Sequence, residues 1–275
     1  IRQSGIVPQG ELGVKDLRTD QILPDSIGQV NSAAWSADNR TLFYVKEDHA
    51  KRPYRVFRHV LGSKDDELLF EEKDELYRTW VGRSNDKRMI FMGSSSAITD
   101  EVHYLPSDQP TGTFRVLYSR EVGHEYSVEH REGLFYVRTN KGAKNFRLVS
   151  APVANPEEKN WKELLPHRPK VKLEGFDLFK SHAVFVEREN ALIRFVVHDF
   201  RTKKSTEIIF PEPVYSAFPS NNPEYNTTMF RYSYQSFVTP SSVFDYDMES
   251  GKSTLLKQTE VLGGYDPQQY ASEPV

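Results

Sequence analysis

Two histidines are the first candidates for chemistry in this sequence. They are the first and last residues of the segment His124-Glu125-Tyr126-Ser127-Val128-Glu129-His130 and are six positions apart. Zinc peptidases need two histidines four residues apart on one helical face, with a glutamate between them, whereas this segment has the alternation of a strand. On a strand the two side chains would share a face but lie about 20 Å apart. The sequence therefore predicts no metal site here.

A serine-rich segment is the second candidate. Gly93-Ser94-Ser95-Ser96-Ala97 begins like the G-x-S-x-G nucleophile elbow, but its last glycine is missing and no strand-to-helix pattern follows. We interpret it as a loop between strands. The chain contains no G-x-S-x-G, Walker A or G-x-G-x-x-G motif elsewhere, so nucleophile and phosphate chemistry have no anchor. We therefore predict no catalytic residue, no metal and no cofactor in this chain.

Polar turns and charge runs supply weaker signals. Ser36-Ala37-Asp38-Asn39-Arg40-Thr41 is similar to the Asp box of sialidases, but Arg40 stands where that turn requires glycine, and we interpret it as a hairpin turn. The runs Lys64-Asp65-Asp66-Glu67 and Glu71-Glu72-Lys73-Asp74-Glu75 are interpreted as solvated outer turns, with a substrate-attracting acidic rim as the alternative.

Composition excludes several classes of function. The 275 residues carry a net charge of −3, so there is no basic field for nucleic acid or an anionic membrane. No apolar run approaches the length of a membrane span. Cysteine is absent, which excludes disulfides and thiolate metal sites and favours the cytosol. We expect a soluble cytoplasmic protein, although Asn39 and Asn226 begin glycosylation sequons that would matter only in the secretory pathway.

A repeat of about 45 residues is the main structural signal. Short aromatic and β-branched runs such as TLFYV, RMIFM, GLFYV, AVFV and TMFRY recur along the chain, and their aligned aromatics are Phe43, Phe91, Phe135, Phe185 and Phe230. A short strand and a polar turn precede most runs, and a second hairpin follows each. Four short strands per repeat are typical of a propeller blade.

We therefore predict an all-β propeller with the five phenylalanines at equivalent, mostly buried positions. The complete blades are predicted at 30–73, 77–121, 124–167, 171–213 and 214–261, and 156–165 could hold one helical turn. Within 12–24, Asp16-Leu17-Arg18-Thr19 matches Asp199-Phe200-Arg201-Thr202, which predicts the outer hairpin of a sixth, incomplete blade. Residues 1–11 stay unassigned, and 262–275 read as a linker. We expect a part of a longer protein.

The resemblance to a known family rests on ordered matches along nearly the whole chain. They are WSADNRTLFYV (35–45), YRVFRHVLG (54–62), EEKD (71–74), HEYS (124–127), RTNKGAKNFRL (138–148), LEGF (173–176) and LLKQTEV (255–261). In this order they resemble the propeller domain of the oligopeptidase B branch of the prolyl oligopeptidase family. The opening residues Ile1 to Glu11 do not match what precedes LGVKDLRT in that family.

The resemblance implies a seven-bladed propeller that caps an α/β-hydrolase domain carrying a Ser-Asp-His triad. It implies cleavage after Arg or Lys in short peptides, with the propeller excluding folded proteins. The hydrolase domain would follow residue 275, so this chain alone is expected to be inactive, and its substrate-binding residues stay unassigned. A non-catalytic propeller scaffold is the alternative, and a propeller glycosidase would need a carboxylate or arginine constellation that the sequence does not reveal.

Overall fold

The computed structural model describes residues 11–273, in which strands predominate. An N-terminal hairpin contains β1 (Glu11–Asp16) and β2 (Gln21–Gly28). The first sheet contains β3 (Val30–Trp35), β4 (Thr41–Glu47), β5 (Pro53–Val60) and β6 (Glu67–Glu71). The second contains β7 (Arg78–Arg83), β8 (Met89–Ser95), β9 (Asp100–Pro106) and β10 (Arg115–Tyr118).

Three further sheets follow. The third contains β11 (Tyr126–Arg131), β12 (Leu134–Thr139), β13 (Arg147–Pro152) and β14 (Lys162–Leu165). The fourth contains β15 (Val171–Leu178), β16 (His182–Glu189), β17 (Leu192–Asp199) and β18 (Lys204–Glu207). The fifth contains β19 (Tyr215–Pro219), β20 (Met229–Ser236), β21 (Ser242–Asp247) and β22 (Lys252–Gln258). Two short 3-10 turns cover Glu158–Asn160 and Pro267–Gln269.

The strands of each sheet lie in chain order, as the repeat predicts. Each of the five predicted blades coincides with one four-stranded sheet to within a few residues, and the helical turn expected within 156–165 is present. The chain divides into two compact units, 1–127 and 128–275. The hairpin and the first two sheets form the first unit, and the last three sheets form nearly all of the second.

The second strands of the first four sheets are buried on both faces, which explains why their aromatic runs are so apolar. In the fifth sheet, β20 alternates between buried and exposed residues, with Met229 and Arg231 exposed. In β4, Phe43 and Val45 pack in one cluster with residues of the second sheet. Leu42 and Tyr44 point to the other face and pack against the N-terminal hairpin. The fourth strands are largely exposed, β22 along its whole length. Apolar content therefore falls from the second strand to the fourth.

The five aligned phenylalanines are all buried on second strands, as predicted. They do not all face the same neighbour, however. Phe43 packs against the sheet that follows its own, whereas Phe185 and Phe230 pack against the sheet that precedes theirs. Side chains alternate between faces, so a shift of one residue reverses the direction. Sequence alignment of the aromatics does not detect the shift between Phe43 and Phe185, because both faces of β4 and β16 are apolar.

The N-terminal hairpin confirms the predicted match with the fourth sheet. Asp16 accepts the backbone N–H of Arg18 at 2.9 Å and its guanidinium at 3.1 Å. Asp199 does the same for Arg201, at 2.8 and 3.1 Å. The two turns therefore use the same side chain to fix the same bend. The hairpin forms a two-stranded sheet among the described residues.

A buried histidine fastens this hairpin to the first sheet. His59 on β5 lies between two carboxylates, with Nδ1 2.6 Å from Asp66 and Nε2 3.0 Å from Asp25 on β2. Tyr44 donates its hydroxyl to Asp66 at 2.5 Å, and the Gly62 N–H donates to Asp25 at 2.6 Å. Each carboxylate is therefore supplied with donors despite its low exposure.

The serine-rich segment is not the predicted loop. Gly93, Ser94 and Ser95 lie within β8, and Ser96 and Ala97 follow the strand. Gly93 pairs with Trp80 of β7, and a Cβ at Gly93 would lie 2.2 Å from the indole. The glycine is thus required by a large ring that crosses the strand rather than by a nucleophile elbow.

Adding a methyl group at this position should destabilise the fold. Gly93→Ala forces the rigid indole to move, and overpacking of this kind costs about 1 to 3 kcal/mol. Urea unfolding measures the change. Gly82→Ala on β7 is the matched control, because its Cβ would meet Trp80 at an ordinary 3.8 Å. Equal effects of the two substitutions would contradict this account of Gly93.

Candidate functional site

One end of each sheet carries both its second-to-third strand loop and the connector to the next sheet. This follows from the chain order of the antiparallel strands, and we call it the connector end. In the first unit it contains 48–52, 72–77, 96–99 and 119–125. The opposite end, with the first-to-second and third-to-fourth strand loops, is called the hairpin end.

A buried carboxylate organises the connector end of the first unit. Glu72 is 5% exposed and accepts from the Arg120 guanidinium at 2.6 Å, from the Ser94 hydroxyl at 2.5 Å and from the Asp74 N–H at 2.9 Å. Arg120 in turn lies over the ring of Tyr77, 3.8 Å from its centroid. The network joins both connectors of the unit to β8.

Burial by itself would raise the pKa of the Glu72 carboxyl. The hydrogen bonds from Arg120 and Ser94 outweigh burial and leave this pKa below its ordinary value. Glu72 is therefore charged and fixed at neutral pH. This result corrects the interpretation of 71–75 as a solvated turn for Glu72, whereas residues 73–75 are exposed as interpreted. Asp66, in the other acidic run, is also half-buried and bonded to Tyr44 and His59.

Exposed aliphatic side chains surround this polar network. Leu76, Ile98 and Val122 are 78%, 56% and 83% exposed. Leu76 adjoins Tyr77. The residues beside Val122 and Ile98 are hydrogen-bonded to each other, because the backbone N–H of Gly123 donates to the side-chain hydroxyl of Thr99 at 3.0 Å. Apolar groups held on a rigid polar frame are typical of a surface that meets another protein.

The second unit repeats the arrangement at its own connector end. Glu212, on the connector between β18 and β19, accepts from the hydroxyls of Tyr234, Ser236 and Thr239. Ile209 and Phe237 beside it are 80% and 89% exposed. In both units, therefore, a connector carries a carboxylate that is held by several hydrogen bonds, and strongly exposed apolar side chains lie at the same end of the sheets.

Removing the buried carboxylate should weaken the first unit. Glu72→Ala removes the nearer carboxylate of Arg120 and leaves it only Glu101 at 3.8 Å. Breaking a buried pair costs about 2 to 4 kcal/mol. Because the pKa of Glu72 is lowered, its contribution is present at neutral pH and is lost as the pH falls, so the variant should also lose stability less steeply on acidification.

Urea unfolding between pH 3 and pH 7 would test this. Glu75→Ala, on the same connector but exposed, is the control and should change stability by less than about 0.5 kcal/mol. A neutral effect of Glu72→Ala would contradict the proposed network.

The hairpin end of the second unit contains a carboxyl group, Asp177, whose pKa is raised rather than lowered. Asp177 on β15 has one amide donor, Asn222 Nδ2 at 3.4 Å. The same nitrogen also lies 2.9 Å from the Ser220 carbonyl and 3.1 Å from that of Arg231, so three acceptors compete for two protons. Burial raises the pKa of Asp177 to about 6, and the Asn222 hydrogen bond only partly opposes this.

Neutralising Asp177 should stabilise the protein. A raised pKa means that folding favours the protonated form, so the contribution of Asp177 to stability is most favourable at low pH and is lost as the pH rises through about 6. Asp177→Asn removes this cost and should add about 1 to 3 kcal/mol at pH 7.5, with the gain vanishing below pH 4.

The matched control is Asp245→Asn, since Arg231 holds the pKa of Asp245 below its ordinary value. That substitution should lower stability at pH 7.5. Thermal unfolding of the three proteins across this pH range measures both signs, and a gain from Asp177→Asn that persists at pH 4 would contradict the assignment.

The two histidines lie in different surroundings. His124 belongs to a turn before β11 rather than to the predicted strand: its N–H donates to the Glu121 carbonyl, and its own carbonyl accepts from Asp100 N–H. His130 lies on β11, with its ring 6.0 Å from that of Phe135. Within residues 11–273, no group of three His, Asp or Glu side chains is arranged to hold a metal ion.

The turn at Ser36–Thr41 is a hairpin turn, as interpreted. Asp38 accepts the N–H groups of Arg40 and Thr41, both at 2.9 Å, and Ser36 donates its hydroxyl to the Ser107 carbonyl at 2.5 Å. These bonds tie the first sheet to the second. Among the described residues, no helix is long and apolar enough to cross a membrane.

Comparison with known proteins identifies the family. The model for the prolyl oligopeptidase N-terminal β-propeller domain matches residues 9–259. The chain belongs to this family. The resemblance seen in the sequence and the propeller fold are thereby confirmed.

Several relatives are peptidases of greater length. Dipeptidyl aminopeptidase BI of Pseudoxanthomonas mexicana is 38% identical over 268 residues, which cover 95% of this chain and 36% of that protein. Protease 2 of Moraxella lacunata is 32% identical, over 94% of this chain and 38% of that protein. The structure of oligopeptidase B from Leishmania major superimposes with a TM-score of 0.85 at 28% identity, over 94% of this chain and 38% of that one.

The chain thus spans less than two fifths of the length of these prolyl oligopeptidase relatives. They are longer proteins named as peptidases, and the matching family model describes an N-terminal propeller domain. Sequence reasoning found the blades but missed Glu72, Glu212 and Asp177. Only the pairing of distant strands distinguishes these carboxylates from ordinary surface charges.

Proposed function

We propose that this chain is the access-limiting propeller of a serine oligopeptidase that cleaves short peptides after Arg or Lys. The observation that carries the proposal is the match of the family model over residues 9–259. The relatives are named as peptidases, and the chain has no G-x-S-x-G motif. The triad would then reside in an α/β-hydrolase domain, to which residues 262–275 form the linker.

The connector ends supply the surface for that partner. Four of the most exposed large apolar side chains, Leu76, Val122, Ile209 and Phe237, lie at the connector ends of their units. The last strand, β22, also ends on this side of its sheet, so the chain leaves the fifth sheet toward such a partner. Contact with a catalytic domain would cover this apolar area.

Size selection would be the contribution of the propeller to specificity. A rigid domain over the triad admits short or flexible peptides and excludes folded proteins, so specificity rests on rejection as well as on attraction. The hydrolase domain would perform acyl transfer with serine as nucleophile and histidine as base. A cytoplasmic location and short basic peptides as substrates complete the proposal.

An activity assay tests both halves of this function. The 275-residue chain should not hydrolyse an Arg-terminated reporter peptide, because it has no nucleophile elbow. The same chain joined to the hydrolase domain of a family member should cleave the reporter after Arg and leave a large folded protein intact.

A serine-directed covalent inhibitor, applied to both proteins, is the control. Inhibitable turnover by the chain alone would reveal a catalytic serine within it. An inert joined protein would favour the alternative, a non-catalytic propeller that binds partners through its exposed connector end.

A further inference from the structure

A single arginine at the connector end of the second unit is held by a fully buried carboxylate. Glu187 on β16 is 1% exposed, and one of its oxygens accepts from the guanidinium of Arg168, on the connector between β14 and β15. Arg194 also interacts electrostatically with Glu187, although its ion pairs are with Glu189 and Glu207. The buried anion fixes one edge of the Arg168 guanidinium.

The rest of that guanidinium is available. The Arg168 side chain is 36% exposed, and Glu187 is the one acceptor for its donors among residues 11–273. Arginine has five N–H donors in a planar fork that matches a carboxylate in two-point contact. Arg168 therefore presents a fixed, unfilled fork at the protein surface.

The backbone that carries Arg168 is also fixed. Asn145, on the loop between β12 and β13, donates its amide to the carbonyls of Arg168 and Pro169 at 3.1 and 2.8 Å. Its own carbonyl accepts from the Leu173 N–H at 2.9 Å. The loop and the connector are thus a single frame, so little ordering is needed when a ligand binds.

The local charge selects an anion. The segments 140–146 and 166–170 contain Lys141, Lys144, His167, Arg168 and Lys170 but no Asp or Glu. Lys141 is paired with Glu158, whereas Lys144 and Lys170 are exposed and have no acidic partner among the described residues. The excess positive charge lies on the same two segments as the open guanidinium.

We propose that Arg168, flanked by Lys144 and Lys170, binds the carboxylate of a short peptide at this connector end. The choice of a peptide over another oxyanion rests on the proposed oligopeptidase function. Every short peptide carries a terminal carboxylate close to the bond to be cleaved, whereas in a folded protein this group lies far from most peptide bonds. Such a site therefore favours short substrates by chemistry as well as by size.

Calorimetric titration of the full chain tests the site. The probes are N-acetyl-trialanine with a free carboxylate, the same peptide as its C-terminal amide, and inorganic phosphate. The acid should bind at least tenfold more tightly than the amide, because a charge-assisted two-point contact is lost on amidation. Equal affinity of the acid and the amide, or phosphate binding as tightly as the acid, would overturn the proposal.

Three variants assign the effect to the guanidinium. Arg168→Gln should abolish the preference for the acid. Arg168→Lys keeps the charge beside Glu187 but removes the fork, so the preference should fall without vanishing, and this variant decides the matter if Arg168→Gln does not fold. Arg201→Gln is the matched control, since Arg201 is an exposed arginine at the hairpin end that is held by Asp199 and Glu249.

An unchanged preference in Arg168→Lys and Arg168→Gln would reject the site. The binding readout needs no catalytic domain, so it is separate from the assay of the proposed function. Acid-selective binding by the chain together with an inert joined protein would retain the site and reject the peptidase role. An active joined protein together with equal binding of the acid and the amide would reject the site and retain the peptidase role.

Discussion

The structure depends on one constraint: the first four four-stranded sheets each have two apolar faces that only neighbouring elements can cover. In the first unit, β4 satisfies this by pointing Phe43 and Val45 at the second sheet and Leu42 and Tyr44 at the N-terminal hairpin. In the second unit, β16 does the same, with Phe185 and Val184 in different clusters. No sheet of this kind is stable by itself, because one face would always stay exposed to water.

Polar groups are consequently displaced to the ends of the sheets, where loops must still be ordered. Buried carboxylates provide that order. Glu72 and Glu212 on connectors each receive two or more donors. Asp25 and Asp66 each receive a donor, from Gly62 and Tyr44, and each also contacts the His59 ring. Asp177 is the exception, with one long contact from Asn222. The contrast shows in the pKa values, which fall for Glu72 and Asp25 and rise for Asp177.

The sequence was sufficient for the blades and insufficient for the site, for physical reasons. Turn chemistry is local: Asp16 and Asp199 fix their bends through residues two positions away, so spacing along the chain locates the hairpins. Gly93 is different. A glycine is required at this position because the indole of Trp80, on another strand, leaves no room for a Cβ. Glu72 likewise depends on Ser94 and Arg120, which no local pattern connects to it. The sequence also could not predict which neighbouring sheet Phe185 faces, since alternation identifies a face only when one side of the strand is polar.

Function in such a fold has to lie at the ends of the sheets, because packing occupies the faces. The hairpin ends are closed by short turns that bond to their neighbours, as Ser36 does with Ser107 and as Lys180 does with Tyr225. The connector ends combine rigid polar frames with uncovered apolar groups such as Val122 and Phe237. A rigid frame lowers the ordering cost of binding, and uncovered apolar area supplies the driving force. The connector end is therefore the part of each unit best suited to contact another protein domain.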